Sequence, residues 1–449
     1  MSQEQRLPLP PGRLGLPWLG ESLSLLRSNH GFYTDRLAAH GPIFKTRLFG
    51  NDFVVFSGHE AFHTFATDPR IVRGDADPIT ARQMFLDSLA LMDGAEHQTR
   101  KSVLVRAIGF RSAIEAYLPR MQGLMSELID SWRTQGTATI RPDLQLFAAR
   151  LAGALYTGDE SDGAARELSG ILADMRAAFL TIPADLPGTR YRRAMRGRNR
   201  LIEIVDAAIE RHRGADYDDV LARLLTAAGD AGVPVQTLRA DVRHLIFASQ
   251  AGLFAPLTLA TMEVGRHPEI AARARAEVLE VAPEGPIPMA VLDRLVYLEQ
   301  ISKEVRRYFA LNSATFFGRL TAPMEVGGYR IPAGWGAIGG IHINMRNPDV
   351  FTDPDRFDPD RFEEKRQAAL APGSYVPHGD GEFTHHRCPA ENLVTVAIKL
   401  YLALLLRETE WAIPEQDLAL TNELFPLPTS GLTVEFRQLK RSSSAVTTG

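Results

Sequence analysis

Apolar residues recur at helical spacing along most of this chain, and that periodicity restricts its fold more than any other feature. The stretches 117–132, 144–156, 164–180, 198–213, 235–266, 268–281, 289–309 and 390–407 all read as helices. Strand signals are short. Residues 43–56 alternate around a turn at Gly50-Asn51-Asp52, and 324–331 carries Gly327-Gly328 as a hairpin would. The pattern predicts a mainly α fold with a small β region. No internal repeat, low-complexity linker or abrupt change of composition divides the chain, so residues 21–436 read as one domain. Residues 1–20, with Pro8, Pro10, Pro11, Gly12, Gly15 and Pro17, read as an extended lead, and 437–449 as a disordered tail.

With 449 residues, 45% of them hydrophobic, the chain can bury a large core. A net charge of -4 argues against nucleic acid as a partner of the whole chain. No apolar run of membrane-spanning length and no basic-then-apolar leader is found, so the expectation is a soluble, cytoplasmic protein without a membrane span. A single cysteine, Cys388, rules out an intramolecular disulfide and any site of several thiolates.

Two segments break the helical rhythm. Residues 352–362 repeat Asp-Pro-Asp-Arg-Phe, and each proline biases its predecessor away from helix, which gives an ordered meander. Residues 372–389 hold Gly373, Pro377, Gly379, Gly381 and Pro389 and lead into a strongly apolar helix. Such a loop suits the close approach of a large group to backbone. Cys388 stands at that helix start, where the macrodipole and free N–H groups stabilise a thiolate, and His386 and Arg387 add cationic character. The plainer reading is a small buried hydrophobe. Glu304 and Arg307, three apart on a helix, share one face, which alone is ordinary surface decoration.

Taken in order, Glu304, Arg307, Arg361, the Gly-rich loop and Cys388 resemble the cytochrome P-450 family, and the resemblance runs from Leu9 to about Val434. It implies that fold, with haem b (iron protoporphyrin IX) between the long central helix and the Cys loop. Cys388 would be the axial ligand of the haem iron. Glu304, Arg307 and Arg361 would be a structural triad behind the loop. His97, Lys101 with Arg100 beside it, Arg319 and His386 match propionate contacts, against the plain alternative of solvated surface cations.

The run His386-Arg387-Cys388-Pro389 with Glu391, and the late Pro414-Glu415-Gln416, look like the bacterial fatty-acid peroxygenase and decarboxylase branch. Where most family members carry an acid followed by Thr for proton relay, this chain has Ala251 and Gly252 beside Gln250; counting back from His267-Pro268 instead gives Ala248 and Ser249. The relay is therefore missing, and so is the Arg with which that branch holds a substrate carboxylate. A water chain helped by Gln250, Ser249 or Thr258, hydrogen peroxide in place of dioxygen, or chemistry without O–O cleavage would each accommodate this. Pro256 implies a kink in the central helix. Apolar pocket walls at Met84, Phe85, Leu91, Phe247, Ala248, Ala251, Gly252 and Ala314 to Phe316 fit a lipophilic small molecule.

The resemblance thus implies a monooxygenase or peroxygenase oxidising a fatty acid or secondary metabolite. It would use dioxygen with a ferredoxin and reductase, or hydrogen peroxide. A haem-thiolate isomerase or coupling enzyme, or an inactive haem-binding sensor, are the alternatives. The arginines at 190, 192, 193, 196, 198 and 200 suggest docking of an acidic carrier protein or an electron donor, against a solvated basic helix start.

Overall fold

A computed structural model describes residues 7–439 other than 75 and 180. Its axis is the helix Val235–Arg266, which spans about 48 Å at the usual rise. Pro234 precedes that helix, and Pro268 opens the next one, Pro268–Val281, where a missing N–H costs nothing. The central helix packs against Ile140–Tyr156, Glu391–Glu408 and Val296–Phe309. Ile246, Leu257, Leu298, Ile301, Ala397 and Leu404 meet in its core with almost no exposure.

Several boundaries differ from the periodicity, each for a local reason. The expected helix 198–213 begins earlier, as Arg190–His212, because Thr189 caps it: its hydroxyl accepts the Arg192 N–H. The expected 164–180 runs Asp162–Ala177, with Ser161 accepting the Ala164 N–H. The expected 117–132 lengthens to Arg111–Gln135 and ends where Gly136 adopts a left-handed φ of 74°. The expected 289–309 divides into Met289–Arg294 and Val296–Phe309, since Leu295 leaves helical geometry at ψ 75° without any Gly or Pro to announce it.

Among the described residues ten strands form three sheets: β1 Ile43–Leu48, β2 Asn51–Phe56, β3 Ile71–Val72, β4 Thr137–Thr139, β5 Gly318–Leu320, β6 Met324–Val326, β7 Tyr329–Ile331, β8 Gly336–Gly339, β9 Thr409–Ala412 and β10 Thr433–Gln438. The largest has the order β1-β2-β8-β5-β3, with β2 and β8 parallel. The β1–β2 turn is tighter than the expected Gly50 to Asp52. Leu48 pairs with Asn51, leaving Phe49 and Gly50 at φ 52° and 82°, which a two-residue hairpin of the right twist requires. Gly12 and Gly20 of the lead bridge to Lys45 and Leu48, so the lead lies along β1. Residues 437 and 438 belong to β10 rather than to a tail, and the rest of the expected tail, from 440, lies outside the described residues.

Among the described residues one helix, the central one, is long and apolar enough to cross a membrane, and 83% of its apolar 18-residue window is buried inside the fold.

Candidate active site

The meander 352–362 would be a long irregular loop were it not fixed by three charges. Both Glu304 oxygens accept from Arg307, at 2.7 and 2.8 Å, and one accepts from Arg361 at 3.1 Å and from the Asp358 N–H at 2.8 Å. The two guanidinium groups spend their remaining donors on carbonyls: Arg307 on Met345, Pro354 and Arg356, and Arg361 on Thr352, Asp353 and Arg356. None of the three residues is more than 4% exposed. A buried triad this fully bonded holds a shape, because each carbonyl it grips would otherwise be an unsatisfied acceptor.

From the same helix, Arg306 reaches the Cys loop and donates to the ring of His378 at 3.3 Å. Burial pushes that imidazole down to about 3, so it is neutral and can accept. The His378 carbonyl in turn accepts the Cys388 N–H at 2.9 Å. Ala390, which caps the helix Glu391–Glu408, presents its backbone N–H to the Cys388 sulfur. The thiol itself is raised, since burial outweighs that N–H and the charges of Lys101 and Arg306. The expected cationic help from His386 is absent: burial lowers it to about 4, and its ring donates to Asp93 at 2.8 Å. Arg387 is spent on Glu391 at 2.9 Å.

His97 and His386 do come together, with ring centroids 4.4 Å apart. The other expected propionate cations separate. Arg100 turns away: it bonds Asp241 of the central helix and the carbonyls of Asp87 and Thr237. Lys101, one position and about 100° round the helix, takes the inner place. It is 6% exposed, makes no hydrogen bond or ion pair among the described residues, and is pushed down to about 8 by burial. Its charge is felt by Cys388 on one side and by Asp241 and His244 of the central helix on the other, so it lies between the two walls of the site. Arg319 is also displaced, donating to the Gly334 carbonyl in an exposed hydrogen bond. The neighbouring Gly318 faces inward, and alternation along β5 sends Arg319 to the other face.

What Gly318 faces is a residue that sequence reasoning missed. A side chain at 318 would begin 2.7 Å from Nη1 of Arg73, so the glycine is what admits this guanidinium. Arg73 is 8% exposed, its guanidinium lies over the Phe65 ring at 4.5 Å, and it makes no hydrogen bond or ion pair among the described residues. Asp77 and Asp93 favour its charge without bonding it, and Asp93 is occupied by the Arg73 backbone N–H and by His386. Leaving a buried cation unpaired costs several kcal/mol in real proteins. Arg73 and Lys101, converging with His97 and His386, are therefore a cradle complementary to an anion, and they fit the two carboxylates of a haem whose iron Cys388 would hold.

The central helix presents one face to this site. Ala248 is exposed although the helix around it is buried, His244 and Gly252 are partly exposed, and nothing lies within 4 Å of where a side chain at Gly252 would begin. Those residues are four apart, one above the other. The expected relay neighbours Gln250 and Ala251 point elsewhere. Ala251 is fully packed, and the Gln250 amide bonds Arg176 and the Gln145 carbonyl, a satisfied core polar group. The helix continues through Pro256, which offers Gly252's carbonyl no N–H.

Phe85 and Phe247 meet edge to face at 5.2 Å as pocket walls, joined by Phe179, Phe316 and His244. Leu91 lines a cavity of about 440 Å³ with Ile79, Leu86 and Met92. In the arginine cluster, Arg192, Arg193 and Arg200 are paired to Asp185, Asp174 and Glu167, so half of its charge is met within the chain.

Comparison with known proteins agrees with this geometry. The sequence model described as Cytochrome P450 matches residues 10–436. A "Putative cytochrome P450 120" of Synechocystis is 28% identical over 440 residues, 96% of this chain and 98% of that protein. The abscisic acid 8'-hydroxylase 1 of Oryza sativa subsp. japonica is 27% identical over 442 residues, 96% of this chain and 91% of its own. The solved structure titled "Retinoic acid bound cyanobacterial CYP120A1" superposes with a TM-score of 0.88 at 26% identity, covering 97% of this chain and 100% of that one.

Proposed function

The chain belongs to the cytochrome P450 family, and we propose that it is a haem-thiolate monooxygenase that hydroxylates a lipophilic carboxylic acid, using dioxygen and electrons from a ferredoxin and its reductase in the cytoplasm. When bound, the haem supplies the activation of oxygen, with one oxygen atom going to the substrate and one to water. The chain's own residues do the rest. Cys388, which has the Ala390 N–H on its sulfur, would hold the iron. Arg306, through His378, ties that loop to the helix that carries the triad. Arg73, Lys101, His97 and His386 would take the propionates. The aromatic walls exclude water and orient an apolar body, as P450 relatives named for retinoic and abscisic acid support.

The observation that carries this reading is a thiol that feels the charge of the buried Lys101, with the buried Arg73 beside His386 two residues before it, neither cation having a hydrogen-bond partner among the described residues. One further feature favours a second reading, in which hydrogen peroxide replaces dioxygen: the exposed face of the central helix offers no acid or hydroxyl at 244, 248 or 252 to deliver protons. Purified protein tests both. The reduced carbon monoxide adduct should show the red-shifted thiolate Soret band, and Cys388→Ala should abolish it. Turnover of a lipophilic acid with a surrogate ferredoxin system, and little with peroxide alone, is expected; peroxide turnover without it overturns the dioxygen reading in favour of the second. No turnover under either condition defeats both.

A further inference from the structure

The aromatic enclosure contains a polar group for which neither the fold nor the cofactor cradle has a use. His244 lies one helical turn before Ala248 on the exposed face of the central helix. Its ring is 4.8 Å from that of Phe85 and 6.0 Å from that of Phe316. Phe85 also meets Phe179 at 6.0 Å and Phe247 at 5.2 Å, and Phe179 meets Phe316 at 6.4 Å, so the imidazole is one wall of a closed set of rings. Phe85, Phe179 and Phe316 come from three segments outside the central helix, and none of those segments brings a charge to the imidazole.

Among the described residues His244 neither donates nor accepts a hydrogen bond, a lack shared with His97, which stacks on His386, and with His342, which meets His30 edge to face, but not with three other buried histidines. His212 bonds Asp219, His378 bonds Arg306 and His386 bonds Asp93. Burial lowers His244 to about 4, with the Lys101 charge adding to the effect. A neutral imidazole keeps one N–H donor, and a donor in a box of phenyl rings has nothing in the protein to give it to. The charges around it favour a negative partner. Lys101 faces it from the helix Gly94–Leu104, Arg243 is its neighbour in sequence, and the nearby acid Asp241 is already bonded to Arg100 and the Leu89 N–H.

We propose that His244 is the residue that reads the head group of the substrate, its ring N–H donating to the carboxylate of a lipophilic acid whose apolar body lies along Ala248 and Gly252. This rests on the lipophilic-acid reading above and supplies what the missing arginine does not: a polar contact that fixes which end of the molecule enters the box. A hydrogen bond to a charged oxygen contributes about 1.5–3 kcal/mol, about ten-fold or more in affinity.

The test uses the haem-loaded protein and two probes, all-trans-retinoic acid and its methyl ester, titrated while the spin-state shift of the Soret band is followed. His244→Phe keeps the aromatic wall and removes the donor; His244→Gln keeps a donor. Both must retain the thiolate carbon monoxide band, and the glutamine variant keeps the comparison open if the phenylalanine variant does not load. The dissociation constant for the acid should rise at least about ten-fold in His244→Phe and less in His244→Gln, with the ester changing less than about three-fold. Equal weakening of acid and ester, or of neither, overturns the role of His244 and leaves the substrate class standing. Wild-type protein that shifts with neither probe overturns the lipophilic-acid reading and the proposal together.

Discussion

Arg307 and Arg361 at the triad, and Arg73 and Lys101 beside His97 and His386, are buried to nearly the same degree and are treated in opposite ways. The first pair spends its donors on Glu304 and on six carbonyl bonds. The second pair has no hydrogen-bond partner among the described residues. Burial is therefore a poor guide to role, and completeness of pairing is a good one. A cation whose needs are met inside the chain supports a shape, whereas one left wanting marks where something else belongs.

The contrast can be broken most forcefully at Glu304. Glu304→Gln removes the carboxylate that two buried guanidinium groups share and should cost about 3–5 kcal/mol, read as a lowered denaturation midpoint and poor recovery of folded protein. A loss below about 1 kcal/mol would mean the triad is not the fixed point described here. Arg73→Met should behave in the opposite sense. The haem-free protein should be no less stable than wild type, because an uncompensated charge has been replaced by an apolar chain, while transfer of haem to apomyoglobin should speed by about ten-fold, or about 1.4 kcal/mol. If the haem-free variant is strongly destabilised, Arg73 is structural after all.

Acid sharpens the comparison further. Burial lowers His97 and His378 to about 3 and His342 well below its ordinary value. Each binds fewer protons folded than unfolded, so stability is full above about pH 6.5 and is lost as pH falls toward 4, by up to about 1.4 kcal/mol per group and pH unit. Asp77 and Asp241, raised to about 7 and about 6, work the other way within that window, because their folded forms take up the proton more readily, but they are outnumbered by the lowered histidines. Urea midpoints at pH 7.5, 6 and 5 should fall steadily, and a flat profile would contradict the neutral buried histidines.

The smallest effect is expected at Gly252→Thr. The space beside it is open and Thr is no worse than Gly in a helix, so stability should move by less than about 0.5 kcal/mol while ferredoxin-driven turnover rises. Ala251→Glu should instead be costly, since Ala251 has no exposure and the carboxylate would be buried. Unchanged coupling in Gly252→Thr would count against a missing hydroxyl as the limitation.

The sequence was most legible where chemistry is punctuated locally. The central helix falls where Pro234 and His267-Pro268 bracket it, and Glu304, Arg307, Arg361 and Cys388 are marked by spacing and by the prolines and glycines around them. It was least legible where the deciding partner is remote. Arg100 and Lys101 are adjacent cations on one helix, and the pairing of Arg100 with Asp241, about 140 positions away, takes it out of the cradle and leaves Lys101 there. Arg73 and His244 carry no signal in the sequence because what distinguishes them is the lack of a hydrogen-bond partner among the described residues. That becomes visible only once Gly318 and the four phenylalanines are in place around them.

The unpaired guanidinium of Arg73 also bears on the life of the polypeptide in the cell. A chain that has not acquired its prosthetic group carries an electrostatic debt that loading cancels, and anything that binds only the native state shifts the folding equilibrium in proportion to its supply. Newly made protein should thus be open to proteolysis until it is loaded, and its steady-state abundance should follow haem biosynthesis. Pulse-chase half-lives in haem-limited and haem-replete cells should differ for the wild type and converge for Arg73→Met, making this one side chain a quality-control mark for unloaded molecules.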